Sequence, residues 1–419
     1  MYKILVVDDS ALMRRIICDI INADSDFHVV DVSADGEDAY NKIKNQSFDI
    51  IVLDMVLPKM TGLELLERLT KEKIPFNVML VSSILKEDAD STIRAIELGA
   101  LDFVVKPVRS TGETREIFAR DLMNSMRNCT KMSSYKTIAS KNNSTSAVDS
   151  ISGTRASASQ KTQDARAILD SIKNGQKPPR TTQPGTSTRP EPRQTTRPEP
   201  RAASSSNVNS ASDDIPPAAP RMSSSKSGRR IIALACSTGG PQALHTFIPM
   251  LPANLTCPLV LVQHMPQGFT ASLASRLNQI SSIKVKEAED GEFFKPGCVY
   301  ITPGGKHMEI CENGSHEAYC HLSDEPPVNS LKPCADVMYR SLTKCSFDEI
   351  LCVVLTGMGA DGSEGIRYLN NYKKTYVISQ EASTCVVYGM PKAVEQGGLS
   401  NEVVPLKSVA NSIVKKLGG

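Results

Sequence analysis

Three polar residues, each placed just past an apolar run, are the types in this chain best suited to act on a carbonyl together. In RRIIALACSTGGPQAL (229–244) the run Ile231 to Ala235 stops at Ser237, followed by Gly239 and Gly240 and then a helical pattern. PLVLVQHMP ends its run at His264, and EILCVVLTGMGADG leads through a glycine-rich loop to Asp361. On three parallel strands these residues share one rim. There a histidine can deprotonate the serine hydroxyl while a carboxylate orients the imidazole. Glycines let a substrate approach the backbone, and the N–H groups of a helix start, with that of Met358, face any oxyanion. Taken alone, Ser237 also fits a plain helix N-cap. His307, in PGGKHM, is a rival base, and GMGADG has the spacing of a phosphate cradle but lacks a P-loop lysine. The order Ser, His, Asp differs from that of α/β-hydrolases, and Ala235 occupies the first glycine position of GxSxG.

A second set lies at the other end of the chain. One apolar run ends in Asp8-Asp9, another in Asp54, a third in Ser82, and a fourth runs into Lys106-Pro107. Carboxylates gathered on one rim repel one another and favour a divalent cation. A hard cation beside a carboxylate and a lysine suits transfer of a phosphoryl group onto that carboxylate.

The elements that must position these groups follow from periodicity. Residues 1–125 alternate the runs Ile4–Val7, His28–Val32, Ile50–Leu53, Val78–Val81 and Phe103–Val105 with amphipathic segments. Such alternation predicts an α/β, doubly wound parallel sheet with active groups at the carboxyl ends of its strands. Residues 229–417 return to the pattern, with strands expected at Ile231–Ala235, Pro258–Gln263, Val299–Thr302, Glu349–Leu355 and Tyr376–Ser379, a second α/β parallel-sheet domain. The intervening linker, 126–228, is rich in Ser, Thr, Pro and Arg and repeats TRPEPR at Thr188–Arg193 and Thr196–Arg201. It is expected to be disordered, because it cannot bury enough apolar surface to offset chain entropy, with a short helix near Asp164–Lys173.

Charge and composition narrow the function further. The whole chain has a net charge of +2, yet residues 130–229 carry 16 Lys/Arg against 7 Asp/Glu, so the folded parts are acidic and basicity lies in the linker. With no helix-turn-helix signal in the C-terminal part, a DNA-binding role and a nucleic-acid partner are not expected. No apolar run approaches the about 18–20 residues of a membrane span, and MYKILVVDDS is no signal peptide. Eleven cysteines without a CxxC pair suit a reducing cytoplasm. Cys311, His316, Cys320 and His321 have a loose zinc-like spacing, but Asn313-Gly314 between them predicts an ordinary hairpin.

Residues 1–125 closely resemble the receiver domain of two-component response regulators, a flavodoxin-like fold. That resemblance implies Asp54 as phosphoacceptor, Mg²⁺ held by Asp8, Asp9, Asp54 and the backbone carbonyl of Val56, and Ser82 and Lys106 as phosphoryl-binding groups. It implies a switch-aromatic position for Phe103, for which packing in the core is the competing reading. The segments ACSTGG, QHMP, PGGKHM, PPVNSLKP, LTGMGADG and YGMPKAV resemble the catalytic domain of chemotaxis protein-glutamate methylesterases. This second resemblance implies Ser237 as nucleophile, His264 as general base and acid, and Asp361 as orienting carboxylate, with no cofactor in that domain. It implies a cytoplasmic, monomeric enzyme that hydrolyses glutamate γ-methyl esters and deamidates glutamines on chemoreceptors. A chemotaxis histidine kinase would supply the phosphoryl group that activates it. The linker is longer than the family pattern leads one to expect. The competing expectation from another class is a phosphorylation-controlled receptor-binding module without turnover.

Overall fold

The structure, a computed structural model, describes residues 1–83, 86–107, 112–142 and 228–418. The expected linker from 143 onward, its TRPEPR repeats and the helix expected at Asp164–Lys173 lie outside the described residues.

The N-terminal part alternates β1 (Tyr2–Val7), α1 (Ala11–Asn22), β2 (Phe27–Ser33), α2 (Gly36–Asn45), β3 (Ile50–Asp54), α3 (Gly62–Lys71), β4 (Val78–Ser82), α4 (Lys86–Glu97), β5 (Asp102–Val105) and α5 (Gly112–Asn142). Its five strands pair in parallel in the order β2-β1-β3-β4-β5. β3 and β4 are buried throughout, which is why they read as unbroken apolar runs. Strand order reverses between β1 and β3, the point where α/β sheets of this kind take ligands, and Asp8 and Asp54 sit at the carboxyl ends of those two strands. Local signals start the helices: Ser10 caps α1, and Thr61 with Glu64 makes a reciprocal capping box on α3.

α5 departs from expectation. It continues past residue 125, the expected domain boundary, to Asn142. Met126 and Cys129 are buried in the same apolar cluster as Phe118 and Leu122, so the helix is held by packing where composition alone signalled a linker.

The C-terminal part comprises β6 (Arg230–Cys236), α6 (Gly240–Phe247), β7 (Leu259–Gln263), α7 (Phe269–Ile280), β8 (Lys284–Glu287), β9 (Cys298–Ile301), β10 (His307–Glu312), β11 (Ala318–Ser323), α8 (Ala335–Ser341), β12 (Glu349–Val354), α9 (Ser363–Asn370), β13 (Thr375–Gln380), α10 (Met390–Gln396), β14 (Glu402–Val404) and α11 (Val409–Leu417). Seven strands form a parallel sheet in the order β14-β13-β12-β6-β7-β9-β8. The two edge strands, β8 and β14, escaped the sequence reading because edges keep polar, half-exposed residues and show no apolar run.

β10 and β11 form the antiparallel hairpin expected around Asn313-Gly314. Cys311 pairs with Tyr319, whereas Cys320 pairs with Ile310, one step along the ladder. Side chains alternate faces along a strand, so the two cysteines point to opposite sides and do not share a metal.

The two α/β parts are in contact. Phe103 of β5 stacks on Phe269 of α7 with ring centroids 4.8 Å apart, and Arg276 of α7 donates from Nε to Glu97 of α4 at 2.6 Å. Buried apolar residues run without a break from Leu80 and Ile96 on one side to Leu244 and Phe269 on the other. Phe103 is thus an interface aromatic.

If the extension of α5 belongs to the folded core, Met126→Ala should destabilise the protein by about 2–5 kcal/mol. Urea unfolding followed by circular dichroism measures this; an unchanged midpoint would return residues 126–130 to the linker.

Candidate functional site

The three strands that carry Ser237, His264 and the loop to Asp361 are neighbours in the sheet, β12-β6-β7, and all are parallel. The last registered pair of β6 and β7 is Cys236 with Gln263. Ser237 and His264 are therefore the next residues on adjacent strands, which lie about 4.8 Å apart in such a sheet. Backbone bonds continue across the rim: His264 N–H donates to Cys236 O at 3.2 Å and Ser237 N–H donates to Thr356 O at 3.0 Å. The N-cap of α6 is Gly239, with φ of 75°, not Ser237. This overturns the N-cap reading and leaves the Ser237 hydroxyl outside helix capping. Gly239 is required there, since a Cβ would lie 2.2 Å from Cβ of Val386.

Asp361 closes the set. Its Oδ2 accepts from His264 Nε2 at 2.7 Å and from Ala335 N–H at 2.6 Å. Oδ1 accepts from the N–H groups of Asp336 and Gly362, both at 2.9 Å, and lies 3.2 Å from the Cys334 thiol. Burial works to raise its pKa, but the His264 side chain and the Ala335 and Asp336 N–H groups outweigh it and hold the carboxyl below the usual value of 3.8. The stabilisation that its ionised form gives is complete above that ordinary value and disappears only as pH falls through the lowered one. Cys334, desolvated beside this carboxylate, has its thiol pushed up to about 12 and stays protonated. Asp336 braces the loop from below, accepting from Gly362 and Gly365 N–H at 3.0 and 2.6 Å. Cys334, Asp336 and Asp361 are close enough to hold a metal, but these donors already face the carboxylate oxygens of Asp361.

His307, the rival base, is buried at 1% exposure with Nε2 bonded to the carbonyl of Pro326 at 3.1 Å. His264, Ser237 and Met358 instead line a cleft of about 830 Å³ whose opposite wall is built by β5 and α5, including Phe103 and Asn128. Asn128 reaches across it to Sδ of Met358 at 3.4 Å. Asp361 lies in the loop before α9, and Asp336 argues against the phosphate cradle: the N–H of Gly362, the last residue of GMGADG, already has carboxylate partners.

At the N-terminal rim, Asp8, Asp9 and Asp54 bring carboxylate oxygens within 4.8 Å of one another. Lys106 Nζ lies 2.5 Å from Asp54 and 2.8 Å from Asp8. Asp8 Oδ2 is buried, and Lys106 Nζ at 2.8 Å is its close cationic partner. Burial pushes Asp54 above the ordinary carboxylate pKa, with Lys106 opposing and Asp8 adding to the rise. Three carboxylates this close, two of them buried and sharing one lysine, fit a hard divalent cation. Ser82 is fully buried, and its Oγ accepts from Thr92 Oγ1 at 2.9 Å. Val56, half exposed, donates its N–H to Asp54 Oδ1 at 3.3 Å.

Sequence reasoning missed the supports. Asp336 reads as an ordinary first-turn acid of α8, and Thr356 as the last residue of an apolar run; no local signal distinguishes either. Thr356 Oγ1 donates to Thr238 O at 3.0 Å and so pins the residue next to Ser237.

Known proteins match the chain in both parts. A CheB methylesterase family profile matches residues 232–413 and a response regulator receiver domain profile matches residues 4–117. A protein-glutamate methylesterase/protein-glutamine glutaminase of Bacillus licheniformis is 35% identical over 99% of this chain and 98% of its own length. A like-named protein of Syntrophomonas wolfei is 32% identical over 99% of both chains. The crystal structure of the Thermotoga maritima CheB methylesterase catalytic domain is 39% identical, covering 45% of this chain and 99% of that one, with a TM-score of 0.43. Because the full-length alignments leave almost nothing of either partner uncovered, the segment between the domains is not unusually long, contrary to expectation. Agreement over both whole lengths, rather than over one domain, shows that this chain belongs to the protein-glutamate methylesterase/protein-glutamine glutaminase family.

Proposed function

We propose that Ser237, His264 and Asp361 carry out the hydrolysis for which this family is named, and that Asp54 accepts the phosphoryl group that controls it. The observation that carries the reading is the 2.7 Å bond between His264 Nε2 and the buried Asp361 carboxylate, at the strand end next to Ser237. With Nε2–H held by the carboxylate, Nδ1 is the nitrogen left to act as base. It takes the Ser237 proton as Oγ attacks the γ-carbonyl carbon of a methylated glutamate. The carbonyl π-electrons move to oxygen, and the N–H of Met358 with those at the start of α6 stabilise the oxyanion. His264 returns the proton to the departing methoxide, which leaves as methanol. Water, deprotonated by the same nitrogen, then releases the glutamate and restores the serine. On a glutamine the leaving group is ammonia.

The substrates in this reading are cytoplasmic helices of chemoreceptors, and the phosphodonor is a chemotaxis histidine kinase. At the N-terminal rim, Mg²⁺ would be held by Asp8, Asp9, Asp54 and the carbonyl of Val56 and would neutralise charge on the transferring phosphoryl group. Lys106 and Ser82 would take the phosphoryl oxygens. The contact of Phe103 with Phe269, and of Glu97 with Arg276, supports control by docking, since β5 and α5 wall the cleft that holds Ser237. Phosphorylation at Asp54 would then shift the population toward an open form.

Ser237→Ala should lower methanol release from methylated receptor by about 10⁴-fold or more, and Asp361→Asn by about 10²–10⁴-fold. Retention of near-normal release by the serine variant would end the scheme. A small phosphodonor should raise the release rate of the wild-type protein but not that of Asp54→Ala; equal stimulation of both would place the phosphoacceptor elsewhere. Glu97→Gln, which removes an interdomain ion pair, should raise unstimulated activity by about 2–5-fold, the scale of one partly exposed pair. A decrease, or no change, would show that this contact does not hold the closed form.

A further inference from the structure

Gln263 is almost fully buried, at 2% exposure, and its side chain bridges the backbones of the two residues to which the proposed mechanism assigns proton transfer. Its Nε2 donates one proton to Ser237 O and the other to His264 O, both at 3.0 Å. Its Oε1 accepts from the Cys236 thiol at 3.0 Å. Every hydrogen-bonding direction of this amide nitrogen is thus spent on the backbones of those two residues. Beyond Cys236 and Gln263 the β6–β7 ladder has no further registered pair. His264 N–H still ties its own residue to Cys236 O, but the link between the Ser237 and His264 backbones themselves runs through the Gln263 amide.

We propose that Gln263 is a positioning residue that sets the distance between the Ser237 hydroxyl and the His264 ring; the inference rests on the roles proposed above for those two residues. Its neighbours are shaped for it. A Cβ on Gly240 would lie 2.0 Å from Gln263 Oε1, so the second glycine of STGG makes room for the amide. Gly240 N–H also donates to Ser237 O at 2.7 Å, so the carbonyl of the nucleophile is gripped from two sides. From the opposite strand, Thr356 O accepts from Ser237 N–H and Thr356 Oγ1 binds the carbonyl of Thr238. Gln263 is the counterpart of Thr356 on the β7 side, and the only one of the two that also holds the base. A shift of about 1 Å in such a geometry is enough to cost about 100-fold in rate, because attack and proton transfer must coincide.

The test uses the full chain with methylated receptor and phosphodonor, measuring kcat and KM for methanol release, with Ser237→Ala in parallel. Gln263→Met, which keeps length and removes both donors, should lower kcat by about 10–100-fold with KM within about twofold. Gln263→Glu offers no donor when ionised and one when protonated. Its activity relative to wild type should therefore rise as pH is lowered, a trend that the methionine variant lacks. Cys236→Ala, which removes only the thiol on Oε1, should lower kcat several-fold and serves if the other variants do not fold. A folded Gln263→Met with wild-type kcat, or a glutamate variant whose relative activity ignores pH, would overturn the inference; with Gln263→Met unfolded, an unchanged kcat in Cys236→Ala would do so. Activity surviving in Ser237→Ala would instead defeat the mechanism on which the inference rests.

Discussion

A carboxylate buried in protein must be answered by positive charge or by N–H groups, and both rims of this molecule are organised around that requirement. Asp361 meets it with three backbone N–H groups and an imidazole. Those N–H groups come from the start of α8 and from the loop before α9, so two helices must be placed before one side chain can hold His264. Asp54 and Asp8 meet the requirement with Lys106, which spans both. The balance differs between the two. Asp361 is over-supplied with donors and drops below the ordinary carboxylate pKa, which makes it a fixed anion. Asp54 rises above it, because burial outweighs the opposing Lys106 ammonium.

Parallel β-strands supply the common geometry. Their carboxyl ends gather on one edge, and the chain there is free of the ladder, so polar groups can turn toward a ligand. In the C-terminal sheet the central strand β6 carries Ser237 and is flanked by β12 and β7, so the loop is fastened from both sides. Thr356 and Gln263, which bind that loop, are themselves buried, so a partner lost by either is expensive. Rigidity at Ser237 thus comes from strands far apart in sequence, and the cleft beside it is walled by the other domain.

Much of the fold was legible in the residue order. Strands buried on both faces leave unbroken runs such as LVLVQ and ILCVV, and their ends mark the rims. Edge strands were not legible, because KVKE and EVV carry no run to detect. The end of α5 was not legible either: Met126 and Cys129 are two apolar residues in a polar stretch, and only the surface they pack on makes them core. For the site, Ser237, His264 and Asp361 could be proposed from their places after strands, but the preference for His264 over His307 came from the family resemblance and not from the spacing. His307 is taken up by the carbonyl of Pro326, a residue 19 positions away.

By itself the order of residues determined two α/β sheets, the acidic rim, and the three strand ends that carry a serine, a histidine and an aspartate. It could do so because burial and periodicity are local properties, written within each element. Tertiary structure alone decided which strands are neighbours, which histidine meets the carboxylate, and which buried amide and carboxylates brace the loops. Those outcomes depend on hydrogen bonds between segments up to about a hundred residues apart, such as the 97 positions between His264 and Asp361. Hydrogen-bond partners chosen at such range leave no periodic trace in the chain, since what selects them is the packing of the whole sheet.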